Sequence, residues 1–379
     1  MASKEIGVAV IAAGSRSRAV VGNLLDDGPT VSVKSVYDPD RAMAEEAVAV
    51  WKSDARICDS YQAAIETDGV EWVMVFSPNS FHREHIIAAF DARKHVFAEK
   101  PLATTIADCK TIHDAHTASG LTFATGFVLR YAPLYRKVKE LLDSGDFGRI
   151  LSIDADENIT PAHGTYIMRN WRRHTELAGP HILEKCCHDL DILNWLIESV
   201  PTKVAAFGSL DFFVPENRDL RTKYTRDGID PFGGWRDPHA VECPFESDKD
   251  IMDTLVSILQ YRNGVKVQFQ ATMSNPIPER RLYISASEGT IIAELYSGTL
   301  TSQRLCDTQP QQVPLPGGGH GGGDSYIMKS LYDTMINGTA PECSGDEGLE
   351  SAVAALAIDT AARTGTVYDI EPVWAELGR

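Results

Sequence analysis

The sequence predicts an α/β protein in which a parallel, doubly wound sheet is followed by a domain with a large, mostly antiparallel open sheet. Three observations predict it. Apolar runs alternate with segments of helical period through the first third of the chain. Two successive strands of that third end on polar turns. One runs from Val73 to Phe76 into Ser77-Pro78-Asn79; the other ends on Glu99-Lys100-Pro101, where Pro101 has no N–H to continue a ladder. The second half carries short β-rich runs at 204–212, 255–261, 265–272, 282–287 and 291–295, with Asn263-Gly264 as a hairpin signal between two of them.

Taken in order, residues 6–11 form a continuous apolar run suited to a buried parallel strand. The turn Ala12-Ala13-Gly14-Ser15-Arg16-Ser17-Arg18 follows, then a short apolar helix at 19–25 and a strand at 31–36 that ends on Tyr37-Asp38-Pro39-Asp40. This is the layout of a Rossmann dinucleotide-binding fold. Ala12 and Ser17 stand where the first and third glycines of its fingerprint would be. Gly14 keeps the position at which backbone must approach a pyrophosphate closely. Asp38 would accept hydrogen bonds from ribose hydroxyls and repel a 2′-phosphate, which predicts NAD; Arg16 and Arg18 are cations that could instead reach a phosphate. Helices at 41–51, 61–65, 84–92 and 107–119 and a strand at 122–126 complete a domain of residues 1–126, leaving 127–379 as a second α/β domain. Ligands of open α/β sheets gather at the carboxyl ends of strands. Cofactor contacts are therefore expected from Ala13, Gly14, Ser15, Arg16 and Asp38, and from Ser77, Pro78, Asn79, His82, Glu99 and Lys100.

The composition is that of a globular enzyme: 379 residues, 43% hydrophobic and 23% charged. A net charge of −17 argues against nucleic acid as a partner, because phosphate binding needs clustered cations. No apolar run approaches the roughly 20 residues of a membrane span, and no signal-peptide core follows the N-terminus. Seven scattered cysteines fit a reducing compartment, so a cytoplasmic location is expected.

In the second domain a helix is predicted over 181–196, opened by Gly179-Pro180. At 3.6 residues per turn Glu184, His188, Asp191 and Trp195 share one face, and Cys186, Leu190 and Leu193 form its apolar back. A carboxylate one turn from an imidazole can orient it as a general base, with Lys185 alongside. The plainer alternative is a surface helix with i, i+4 charge pairs. Without a second cluster of ligands no metal is expected. Arg169-Asn170-Trp171-Arg172-Arg173 gathers cations and an indole in an acidic chain, fit for an anionic group and a sugar ring, or else a solvated loop or subunit contact. Gly317 to Gly323 carries His320 and could fold over a ligand, or serve as a linker. Helices are expected at 324–336 and 348–364.

Together Ser77-Pro78-Asn79 with His82, Ala98-Glu99-Lys100-Pro101-Leu102, Gly126-Phe127 followed by Arg130-Tyr131-Ala132-Pro133, and the Glu184-to-Asp191 segment resemble the Gfo/Idh/MocA oxidoreductases over nearly the whole chain. The family usually has Asp where Glu184 stands and Gly where Cys186 stands. The resemblance implies NAD, a homodimer or homotetramer, and a sugar, glycoside or inositol substrate, with 127–379 as the substrate-binding and oligomerisation domain. It makes Lys100 and His188 the catalytic pair, with Glu184 in the acid position beside Lys185. Substrate contacts are expected from Arg130, Tyr131, Tyr166, Arg169, Trp171, Arg172, Arg173 and His320. The implied reaction is oxidation of a secondary hydroxyl by hydride transfer to NAD, on an anionic substrate if the arginines face the site. A second reading uses the same hydride step transiently: oxidation, elimination, water addition and re-reduction make a redox-neutral NAD-dependent glycosidase acting on a charged glycoside.

Overall fold

Every residue of the first apolar run is buried, as a strand covered on both faces requires. In the computed structural model, which describes residues 5–28, 30–235 and 240–379, this run is β1 (Ile6–Ile11). It joins β2 (Val31–Tyr37), β3 (Arg56–Ile57), β4 (Val70–Val75), β5 (His95–Ala98) and β6 (Phe123–Thr125) in a parallel sheet of order β3-β2-β1-β4-β5-β6. The order reverses at β1 and β4. The turns after β1, β4 and β5 therefore leave from neighbouring strands at the sheet's carboxyl edge, the place where such sheets bind nucleotides.

The chain forms two compact units, one running to Tyr131 and including Gly323–Ala352, the other comprising Ala132–Gly322 and Val353–Arg379. Residues 323–352, which the sequence boundary at 126 assigns to the second domain, pack in the first of these compact units. Long-range polar contacts hold them there. Thr125 donates through its N–H to Cys343 O and through its hydroxyl to Ser344 O, and Asp324 pairs with Arg16. Local sequence pattern carries no sign of such contacts.

The second unit is built on nine strands: β7 (Ile150–Asn158), β8 (Pro201–Ser209), β9 (Thr254–Tyr261), β10 (Lys266–Thr272), β11 (Arg281–Ala286), β12 (Gly289–Glu294), β13 (Thr299–Arg304), β14 (Gln311–Pro314) and β15 (Tyr368–Asp369). Their order is β14-β13-β12-β11-β7-β10-β9-β8-β15, antiparallel throughout except where β10 runs beside β7. Ile153, Ala155, Val267, Phe269, Leu255, Leu259, Leu282 and Ile284 are buried on one face, while Phe207, Val256, Ile258 and Tyr283 are exposed on the other. β7 escapes a hydrophobic-pattern reading because its inward set, Ile153 and Ala155, continues into Glu157, a fully buried carboxylate.

The opposite side of β7 has a measurable consequence. Burial and the neighbouring Glu279 push Asp156 up to about 7, against the pull of Arg281. Asp156 then binds its proton more tightly folded than unfolded, where an aspartate titrates near about 3.9. It destabilises the fold increasingly as pH rises from about 4 through 7. Asp156→Asn is expected to narrow the gap between the thermal unfolding midpoints at pH 6 and pH 8; a variant profile parallel to wild type refutes the assignment.

Candidate active site

The phosphate turn can be built residue by residue. Ala12 sits at φ +70, the left-handed region where glycine is at ease, and its N–H donates to Tyr37 O (2.7 Å). Gly14 is the reverse case. Its φ of −68 and ψ of −177 suit any residue, and a Cβ built on it would meet no protein atom within 4 Å. The fold itself makes no demand for glycine there; the open space over its backbone suits the close approach of a pyrophosphate. Ser17 donates to Gly14 O (2.8 Å) and closes the turn. Asp38 is fixed at the end of β2 by accepting from Ala13 N–H (2.7 Å) and Asp40 N–H (2.8 Å). Arg16 pairs with Glu99 (2.7 Å) and Asp324 (2.6 Å), and Arg18 with Glu46 (2.6 Å). Both cations are thus balanced by carboxylates.

The turns after β4 and β5 are tied together by His82. Its Nδ1 lies 2.8 Å from Pro101 O and its Nε2 2.9 Å from Ser77 O, and burial pushes this imidazole below the usual histidine range. This corrects the sequence expectation: His82 clamps the two turns, and its ring nitrogens face backbone carbonyls. Ser77 adds a contact from Oγ to His85 Nδ1 (2.9 Å), and Pro78-Asn79 carries the chain into a helical turn with Asn79 buried. Glu99 accepts from Lys100 N–H (3.3 Å) and lies over Gly126, where a Cβ would come 2.8 Å from its Oε2. Lys100 is therefore presented at a strand end whose backbone is held by its neighbours. Tyr131 is buried. Arg130, expected to contact substrate, is buried 3.7 Å from Glu347 of the same unit.

In the second unit the predicted single helix is interrupted. One turn, His181–Glu184, is followed by Lys185 and Cys186 and then a helix at Cys187–Ile197. Lys185, at the break, turns toward the fully buried Glu157 (Nζ to Oε1 3.3 Å). Residues 187 to 194 are all buried, so this is no surface helix. Arg280, only 1% exposed, forms a bidentate pair with Asp189 (both 2.7 Å), and its Nε lies 2.9 Å from Glu157. Tyr296 donates to Glu157 (3.1 Å). Two cations, Arg280 and Lys185, and two carboxylates, Glu157 and Asp189, thus balance one another, and Asp189 is the residue next to His188 in the chain.

Glu184 accepts from Arg172 Nε (2.8 Å), and Arg172 Nη1 donates to Tyr166 OH (3.0 Å). The Arg172 guanidinium also lies 4.3 Å from the Trp171 ring centroid. The arginine cluster does not act as one group. Arg169 donates to Val241 O (2.5 Å), and Arg173 pairs with Asp248 (2.9 Å), both anchoring the 241–250 segment. His320 does face inward, its ring 5.9 Å from that of His188, on a loop whose Gly318, Gly321 and Gly322 all take positive φ.

Residues 6–127 match the model of an oxidoreductase family described as its NAD-binding Rossmann fold, and residues 139–370 match the family's C-terminal alpha/beta domain. This chain belongs to the Gfo/Idh/MocA family of oxidoreductases. It is 33% identical to inositol 2-dehydrogenase of Gluconacetobacter diazotrophicus over 201 residues, about half of each chain (51% and 55%). It is 24% identical to 1,5-anhydro-D-fructose reductase of Ensifer adhaerens over 82% of this chain and 83% of that one. A solved levoglucosan dehydrogenase, in complex with NADH and levoglucosan, shares the fold with a TM-score of 0.81 at 19% identity, covering 97% of this chain and all of the other.

This Gfo/Idh/MocA member is therefore an oxidoreductase with an NAD-binding Rossmann domain. Sequence reasoning missed Glu157 and Arg280, which lie 123 positions apart (280 minus 157) and meet only on folding. It quoted Asp189 without giving it a partner. Gly14→Val is expected to leave the unfolding free energy within about 1 kcal/mol of wild type while raising the NADH dissociation constant at least tenfold, read by fluorescence titration. Unchanged NADH binding would remove the pyrophosphate from this turn.

Proposed function

We propose that this protein is an NAD-dependent dehydrogenase that oxidises a secondary hydroxyl of a cyclic sugar or polyol. Bound NAD supplies the hydride acceptor. His188 takes the hydroxyl proton, and Lys100 holds the same oxygen and stabilises its developing negative charge. The observation that carries this reading is the setting of His188: a buried imidazole next in the chain to Asp189 of the charge-balanced network, with the His320 ring 5.9 Å away, in a chain that has an NAD-binding domain. Glu184, engaged by Arg172, is a positioning residue. Asp38 favours NAD over NADP, because Arg16 and Arg18 are occupied by Glu99, Asp324 and Glu46.

The three arginines that suggested an anionic sugar already oppose Glu184, Asp248 and the Val241 carbonyl, and we infer preference for an uncharged ring. The redox-neutral glycosidase begins with the same hydride step, and Tyr131, Tyr166 and Lys185 would serve its additional proton transfers. The exposed Phe207 and Ile258 on the open sheet face support assembly into a homodimer or homotetramer. No described helix is long and apolar enough to cross a membrane; a cytoplasmic location belongs to the proposal.

The test incubates the protein with NAD and a panel of neutral sugars, inositols, sugar acids and anionic aryl glycosides, following NADH absorbance and aglycon release together. NADH accumulating with a neutral ring supports the proposal, and with a sugar acid alone it restores the anionic reading. NAD-dependent aglycon release without lasting NADH assigns the glycosidase instead.

A further inference from the structure

The most exposed tryptophan environment of the second unit lies beside the groups just described. Trp235 is 61% exposed, yet its position is firmly set. Phe232, three residues before it, is buried among Phe212, Phe213 and Phe245. Gly234 runs so close to helix Pro161–Arg169 that a Cβ there would meet Tyr166 N at 3.2 Å and Ala162 O at 3.3 Å. His163 and Tyr166, one helical turn apart on that helix, pack edge-to-face on the indole at centroid distances of 4.7 and 5.1 Å. Burying a large aromatic ring is favourable, and a ring held rigidly in solvent forgoes that gain. Tryptophan, with an apolar face and a polar edge, is enriched at binding interfaces.

The surroundings say what would bind. Tyr166 packs edge-to-face on Trp235 and accepts a hydrogen bond from Arg172, which in turn donates to Glu184, so a run of direct contacts joins the indole to the candidate site. Counting outward from Glu184, it stands after Arg172 and Tyr166, with the Tyr166 ring 5.3 Å from the Arg172 guanidinium carbon and 5.1 Å from the indole, the order expected of a ring next to the one that is oxidised. The apolar face of a sugar ring stacks on an indole, with its hydroxyls left to polar neighbours. We propose that Trp235 is a stacking platform for a second sugar unit, so that the natural substrate is a disaccharide or other glycoside and Trp235 determines its selection. This rests on the sugar dehydrogenase reading and names its substrate class.

The test compares Trp235→Ala and Trp235→Phe with wild type on matched one-ring and two-ring substrates, for example glucose against cellobiose and maltose, chosen by which the wild type oxidises. Trp235→Ala is expected to raise KM for the two-ring substrate about tenfold with kcat and the one-ring KM unchanged, while Trp235→Phe recovers most of the loss. An equal rise for both substrates, no rise for either, or a change in oligomeric state on gel filtration overturns the proposal, the last by making Trp235 a subunit contact. If the wild type oxidises no sugar, the dehydrogenase reading fails separately. Calorimetric titration of the same disaccharides into wild type and Trp235→Ala then still decides the platform: binding lost in the variant sustains it, and equal or absent binding overturns it.

Discussion

Lys100→Met is expected to lower turnover with NAD by about 10³-fold, within the usual range for removing a proton-handling group, while NADH binding stays within about twofold of wild type. Methionine keeps most of the side-chain length and deletes the ammonium. The backbone that presents it is untouched: the residue's N–H still reaches Glu99, and His82 still joins the turns at Ser77 and Pro101. The cofactor contacts expected at Gly14 and Asp38 are carried by other strands. Stopped-flow turnover and NADH fluorescence titration read the two halves separately. Retained turnover would displace Lys100 from the reaction, and loss of both would make it a cofactor-binding residue.

The second large effect is on stability. Arg280→Met leaves Glu157 and Asp189 buried with one of their two cations gone, since Lys185 reaches only Glu157. Breaking a buried pair from one side costs about 3–5 kcal/mol, far more than an exposed pair is worth. The pH dependence identifies the cause. Carboxylates stranded in the variant bind protons more tightly folded than unfolded, so the variant gains stability on acidification where wild type, with Arg280 in place, gains less. The deficit measured by urea unfolding should shrink from pH 8 to pH 5. A deficit below about 1 kcal/mol, or one independent of pH, would show that Arg280 contributes packing alone. Asp189 adjoins His188 in the chain, so the same variant is expected to depress kcat; this follows from displacement of the helix start at Cys187.

Several features were legible because they are written in local pattern. The unbroken apolar run 6–11 could only be a strand covered on both faces, and it is β1, at the centre of the parallel sheet. Lone Gly14 among small residues marked the turn, and the structure gives the reason: its backbone lies open with no protein atom near a would-be Cβ. The glycine run at 317–323 carries His320 to within 5.9 Å of the His188 ring, a proximity that its composition left open. What failed were inferences about partners. Arg169, Arg172 and Arg173 look equivalent in the sequence, but one meets a carbonyl, one a buried carboxylate and one an exposed aspartate.

The sequence by itself determined the fold class and the cofactor class, because these depend on periodicities of two and 3.6 residues and on turn chemistry within a few positions. Tertiary structure alone decided which charges neutralise one another. Glu157 could be a central-strand residue only because Arg280 and Lys185 arrive from distant segments to balance it, and Trp235 acquired its setting only when its loop docked on helix Pro161–Arg169. The electrostatic energy of a buried charge depends on distance to its partner in space, and that distance has no counterpart in the spacing of residues along the chain.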